Sequence, residues 1–200
     1  MELSAGKKIE TESFRIIRSE MKPNAFSEAE NAVVVRVIHA TGDFEYAENL
    51  RFSANAIADG RKALRSGCPI ITDVAMVKSG ISRVYPGDVV CWMHAEDTIA
   101  FAAKNKITRA TAAFLLHQTQ LQGAIVAVGN APTALLECIR LAAEEGIRPA
   151  LVVGVPVGFV NATESKDLLY ESDLSYITAL GRKGGSPVAA AIVNALIGLN

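Results

Sequence analysis

The chain has 200 residues, half of them hydrophobic and a fifth charged, with a formal net charge of −1. A length of this kind forms one domain that buries about 70% of the surface exposed by the unfolded chain, and the composition is globular, not disordered. The near-neutral charge removes the electrostatic footprint expected of a nucleic-acid or anionic-membrane binder, although local basic clusters can still hold a small acidic ligand.

At the N-terminus, MELSAGKKIETESF contains no apolar stretch of the signal-peptide kind, and no apolar run in the chain reaches the ~20 residues that span a bilayer. A helix is expected through ETESFRIIRSEM (10–21). A second is expected through SEAENAVVVRVIHA (27–40), where Ser27 precedes Glu30 with the spacing of a capping box. It carries His39, one of three histidines, in its last turn, just before the Thr41-Gly42 break. The polar and aromatic stretch that follows reads as loop. A third helix runs through SANAIADGRKALRS (53–66) and stops at Gly67. Residues 1–67 therefore read as a helical N-terminal part and 68–200 as an α/β core, together one domain without repeat or linker.

From Cys68 onward, strand-length apolar runs appear at CPIITD, DVVCWM, AIVAVG, ALVVGV and YITALG. Helical patterns lie between most of them, such as ITRATAAFLLHQTQLQ (107–122) and APTALLECIRLAAEEG (131–146). The latter has Pro132 near its start and Gly146 after its end. Continuous apolar strands alternating with helices predict an α/β, Rossmann-like, mainly parallel sheet covered by helices on both faces. Cys68, Cys91 and Cys138 are odd in number and sit in apolar segments, which predicts thiols of a reducing, cytoplasmic compartment.

Open sheets of this kind bind ligands at the carboxyl ends of their strands. The sequence places Asp73, Gly129, Asn130, Gly154 and Gly158 there, and also the run Gly181, Arg182, Lys183, Gly184, Gly185, Ser186. Helix N-termini at such an edge offer unpaired N–H groups and the positive end of a dipole to carboxylates or phosphates. Neither a Walker A stretch nor a G-x-G-x-x-G after the first core strand is present. A nucleotide site is therefore weakly supported, and a ligand bearing several carboxylates fits at least as well, with Arg109, Arg182 and Lys183 as candidate partners. The same glycines also suit tight turns, and the same cations suit a solvated surface.

Metal and acyl-transfer chemistry find little support. His94-Ala95-Glu96 begins like a zinc-deaminase motif, but no P-C-x-x-C follows. His39, His94 and His117 lack zinc-site spacing, and no G-x-S-x-G elbow occurs. His39 has two readings. At a helix C-terminus an imidazolium is favoured by about 0.3–1 kcal/mol, which describes a cap and equally a proton donor near neutral pH.

Seven blocks in order carry a resemblance: ESFRIIRSE, FSEAENAVVVRVIHATGD, GCPIITDVAMVKSGISR, ITRATAAF, VAVGNAPTALLE, RPALVVGVPVGFVNATESK and GRKGGSPVAAAIVNAL. Over nearly its whole length the chain resembles the precorrin-8X and cobalt-precorrin-8 methylmutases, the precorrin isomerases of cobalamin biosynthesis. GNAPTAL together with PVGFV-x-A-x-ESK is highly specific. The resemblance implies a homodimer acting on a tetrapyrrole, with no redox cofactor and no catalytic metal. It also implies migration of a methyl group from carbon 11 to carbon 12 of ring C, giving hydrogenobyrinate or, with cobalt, cobyrinate. His39 falls on the family's catalytic acid, and Ser13 and Arg109 fall in its substrate site. Asp73, Gly129, Asn130, Gly158, Arg182, Gly184 and Gly185 complete the expected substrate-binding set. Two positions depart from the pattern: Ala110 stands where members often carry Ser, and Glu12 where they often carry Arg. A non-catalytic tetrapyrrole or corrinoid carrier would use the same anion-binding turns, with His39 as a hydrogen-bonding group only. A nucleotide-dependent transferase or reductase is disfavoured by the missing glycine fingerprint.

Overall fold

Alternate residues of the central strands bury against opposite layers, which is the period-2 geometry of a sheet covered on both sides. In the computed structural model, which describes residues 4–82 and 84–199, six strands are ordered β1-β6-β5-β4-β2-β3. Five of them, β2 (Ile70–Thr72), β3 (Val89–Val90), β4 (Ile125–Val128), β5 (Leu151–Gly154) and β6 (Tyr176–Ala179), lie within the five expected apolar runs and pair in parallel. β1 (Leu50–Phe52) pairs antiparallel with β6, Leu50 opposite Ala179. This departs from the helical reading of residues 1–67. Three residues carry no periodicity of their own, and their conformation is fixed by a partner more than a hundred positions away.

One face of the sheet presents Ile70, Ile125, Ala127, Leu151, Val153 and Ile177 to α2 (Glu28–Thr41), α4 (Ala56–Arg65) and α10 (Ser186–Gly198). The other presents Ile71, Val126, Val128 and Val152 to α7 (Arg109–Leu116), α8 (Pro132–Glu145) and α9 (Ala162–Glu171). α1 (Ala5–Glu20) lies on α2, and the short α3 (Tyr46–Asn49) follows it. α5 (Ala75–Gly80) follows β2, and α6 (Glu96–Asn105) packs on α7. The expected helix over 107–122 is two pieces, α7 and a 3₁₀ turn at Gln118–Leu121. They part at His117, whose backbone leaves the helical region and whose ring stacks on Trp92 at 4.4 Å.

α2 explains why a run of β-branched residues is helical. Val33, Val34, Val35, Val37 and Ile38 are all buried, so packing on several sides outweighs their modest helix propensity. Its start is fixed by the capping box: Ser27 Oγ accepts from Glu30 N at 3.3 Å, and Ser27 N donates to Glu30 Oε2 at 2.8 Å. Its end is fixed by Gly42, at φ +67°, whose N–H donates to Ile38 O. Across the sheet, the chain leaves β2 toward β3 and returns on the other side at β4. The crevice between the carboxyl ends of β2 and β4 is therefore the topological switch point.

Candidate active site

His39 occupies the last turn of α2 and is exposed. Its ring meets that of Phe14 of α1 in a T-shaped contact, with centroids 5.2 Å apart and planes at 89°. Arg36, one turn back, lies 5.2 Å from the centre of the same phenyl ring and is ion-paired to Glu10 at 2.6 Å. α1 thus braces the imidazole through Phe14, while Ser13 beside it spends its hydroxyl on Ile9 O of its own helix, 2.9 Å away. The family resemblance pointed to Ser13 in that pair; the ring against His39 belongs to Phe14.

The loop after His39 is tied to the loop after β6. Lys183 Nζ lies 2.6 Å from Asp43 Oδ2 and 2.7 Å from Glu45 Oε2, and both carboxylates hold its ammonium well above the usual lysine range. Tyr46 donates its hydroxyl to Gly184 O at 3.4 Å. Gly184 itself must be glycine, since a Cβ there would stand 2.2 Å from Val155 O. Gly185 N donates to Val155 O, and Gly158 N to Arg182 O. Gly158, Arg182, Gly184 and Gly185 are therefore held together at the sheet's carboxyl edge, and the loop that follows His39 is tied to them through Asp43, Glu45 and Tyr46. Lys183, a candidate ligand cation in the sequence, is committed to internal carboxylates. Asp43 and Glu45 were not singled out. Their signal is the acidic GDFEYAE stretch directly after the His39 helix.

Asp73, Gly129 and Asn130 also come together, and with one another. The Asp73 carboxylate, 2% exposed, accepts from Gly129 N at 3.1 Å and from Asn130 N and Ala131 N at 2.7 Å each. It spans the switch-point crevice and fills the N-terminal end of α8. Burial pushes its carboxyl above the ordinary aspartate value, and the three amide donors offset only part of that rise. The position where a phosphate would sit at this helix start thus already holds an anion from the protein itself. The first turns of α9 and α10, at the same edge, have no side-chain cap among the described residues. Gly129 in turn touches the start of α10, with a Cβ there 2.8 Å from Ser186 Cα.

Arg109 opens α7, whose capping Thr108 hydroxyl meets Thr133 of α8 at 2.9 Å. This brings Arg109 to the same edge, exposed and without an ion pair among the described residues. Arg182 is likewise exposed, and its guanidinium sits 5.3 Å from the centre of the Phe159 ring. Phe159 and Val160, after β5, are 84% and 78% exposed, an unusual pair of large apolar side chains beside the Arg182 guanidinium. Beneath them Lys166 of α9 is fully buried, and burial pulls its ammonium down to about 8. The remaining histidines sit elsewhere: His117 against Trp92, and His94 on the wall of a cavity of about 580 Å³ with Lys78, Cys91 and Tyr85.

Comparison with known proteins gives one answer. Residues 8–199 match the family model described as precorrin-8X methylmutase. The chain is 45% identical over 198 residues to a cobalt-precorrin-8 methylmutase of Methanocaldococcus jannaschii, covering 96% of this chain and 93% of that protein. It is 40% identical over 196 residues to a precorrin-8X methylmutase of Sinorhizobium sp., covering 96% and 93%. The crystal structure of a precorrin-8x methyl mutase from Thermus thermophilus superposes with a TM-score of 0.90 at 44% identity, covering 97% of this chain and 96% of that one. By fold, motif order and sequence alike, the chain belongs to the precorrin-8X methylmutase family.

Proposed function

We propose that the protein is an isomerase of cobalamin biosynthesis that moves a methyl group from carbon 11 to carbon 12 of precorrin-8X or cobalt-precorrin-8, giving hydrogenobyrinate or cobyrinate. The observation that carries this reading, beside family membership, is the exposed His39 imidazole. Phe14 braces it at the sheet's carboxyl edge, and the Lys183 ion pairs tie the loop beyond it to the glycine-rich loop. A suprafacial 1,5-shift asks little covalent help of a protein. It asks for a proton on the conjugated system, which makes ring C electron-poor, and for a fixed ring orientation. His39 supplies the proton once it stands about 2.6–3.2 Å from a ring nitrogen or carbon acceptor. Arg109 and Arg182, the open first turns of α9 and α10, and the backbone of Gly158, Gly184 and Gly185 hold the acetate and propionate arms. Fixing those arms is catalysis by positioning. Asp73, Gly129 and Asn130 act at one remove, as the bonded wall behind the cleft.

The same reading makes the protein a homodimer in the cytoplasm. A macrocycle with many carboxylates needs more wall than one sheet edge offers, and the exposed Phe159-Val160 pair lies on the rim of that edge. Three free cysteines agree with a reducing compartment. Among the described residues no helix is long and apolar enough to cross a membrane.

The deciding experiment mixes the protein at catalytic concentration with precorrin-8X and, separately, cobalt-precorrin-8, and follows the absorption spectrum. Many turnovers with either substrate are expected, and the faster one identifies the natural form. A spectral change that stops at one equivalent per site would make the protein a carrier instead.

A further inference from the structure

We propose that Lys166, resting on the methylmutase reading, is a positioning residue: it locks the Lys183–Gly184 peptide plane so that the Gly184 N–H faces a carboxylate arm of the substrate. Lys166 lies on α9 with no exposed surface, a costly place for a cation. Its Nζ donates to Lys183 O at 2.7 Å, and no carboxylate pairs with it among the described residues. A leucine or methionine would fill the same space without that cost, but it would leave the Lys183 carbonyl without a donor.

What the bond accomplishes follows from the peptide group itself. In a trans peptide the carbonyl of one residue and the N–H of the next point in opposite directions. Holding Lys183 O toward the buried ammonium turns the Gly184 N–H the other way, away from the interior. That N–H has no acceptor among the described residues. The flanking peptides are held as well: Gly158 N binds Arg182 O and the Tyr46 hydroxyl binds Gly184 O, each from a different element. Three consecutive loop carbonyls are therefore fixed by three separate donors. Of the two buried side chains among these donors, Tyr46 and Lys166, only Lys166 brings a formal charge into the interior to do so. Without it the central peptide of a Gly-rich loop is free to turn over, because Gly184 tolerates either orientation.

The test compares wild type and Lys166→Met for binding of the carboxylate product, hydrogenobyrinate, and of its methyl ester, together with kcat and KM. Losing one oriented donor to a charged oxygen should weaken product binding and raise KM by about tenfold or more. The ester should bind both proteins within about threefold, and kcat at saturation should stay within about threefold, consistent with loss of a binding contact. Unchanged affinity for the free acid overturns the proposal. So does an equal loss for acid and ester, which would mark general damage to the loop. If Lys166→Met does not fold, Lys166→Ala is assayed with and without propylamine: recovery of product affinity by the amine supports the proposal, and indifference to it overturns it. Failure of the wild type to turn over either precorrin would sink the methylmutase reading separately.

Discussion

His39→Ala isolates the chemical role of the imidazole, because the side chain contributes little to the fold. It is exposed, its one ring contact among the described residues is Phe14, and the helix it ends is held by five buried apolar residues. Truncation removes a cap worth about 0.3–2 kcal/mol, whereas loss of a general acid costs about 10²–10⁴ in rate. Single-turnover absorbance at saturating substrate should fall by that factor with the melting temperature nearly unchanged. A near wild-type rate in folded protein would leave His39 a cap and place the acid elsewhere. At this scale the sequence was partly legible. A histidine closing a Val-rich helix before Thr-Gly stands out, and Arg109 and Arg182 are marked by their place at helix starts and loops. Phe14, Asp43 and Lys166 were not marked, because their significance lies in partners from distant parts of the chain. Lys166 in particular reads in sequence as an ordinary helical lysine.

Elements meet the same limit where pairing is non-local. The apolar runs of β2 to β6 announce themselves because both faces of each strand are buried, leaving no polar alternation. β1 shows no such run; it takes strand form only from β6. The capping box of α2 was readable as a local pattern of four residues, whereas the cap of α8 was not. Asp73 stands 56 positions from Gly129, and the sequence suggested all three groups as contacts of a ligand, not of each other. Asp73→Asn tests this cap at the level of the helix. An amide offers one acceptor oxygen and turns an NH₂ toward backbone donors, so part of a three-bond charged cap is lost. Unfolding in urea should show a loss of about 2–4 kcal/mol, with the m-value unchanged. No loss would mean that α8 holds its start by Pro132 and packing alone.

For the whole molecule, the expectation is a two-chain particle by light scattering at assay concentration. Substituting Phe159→Ser should shift it toward single chains, since it removes a ring 84% exposed on the surface of one chain. A fully active single chain would refute the dimer. How such chains can meet is narrowed by the ends of the sheet. β1 offers three residues on one side and β3 two on the other. Edges this short expose too few free N–H and C=O groups for a neighbouring chain to continue the ladder. Assembly by a continuous intermolecular sheet, and the fibre-forming growth that open edges permit, are therefore both disfavoured in this fold. In the proposed dimer, contacts between copies run through helix faces and loops, where side chains set the register and pairing can end at a closed number of subunits.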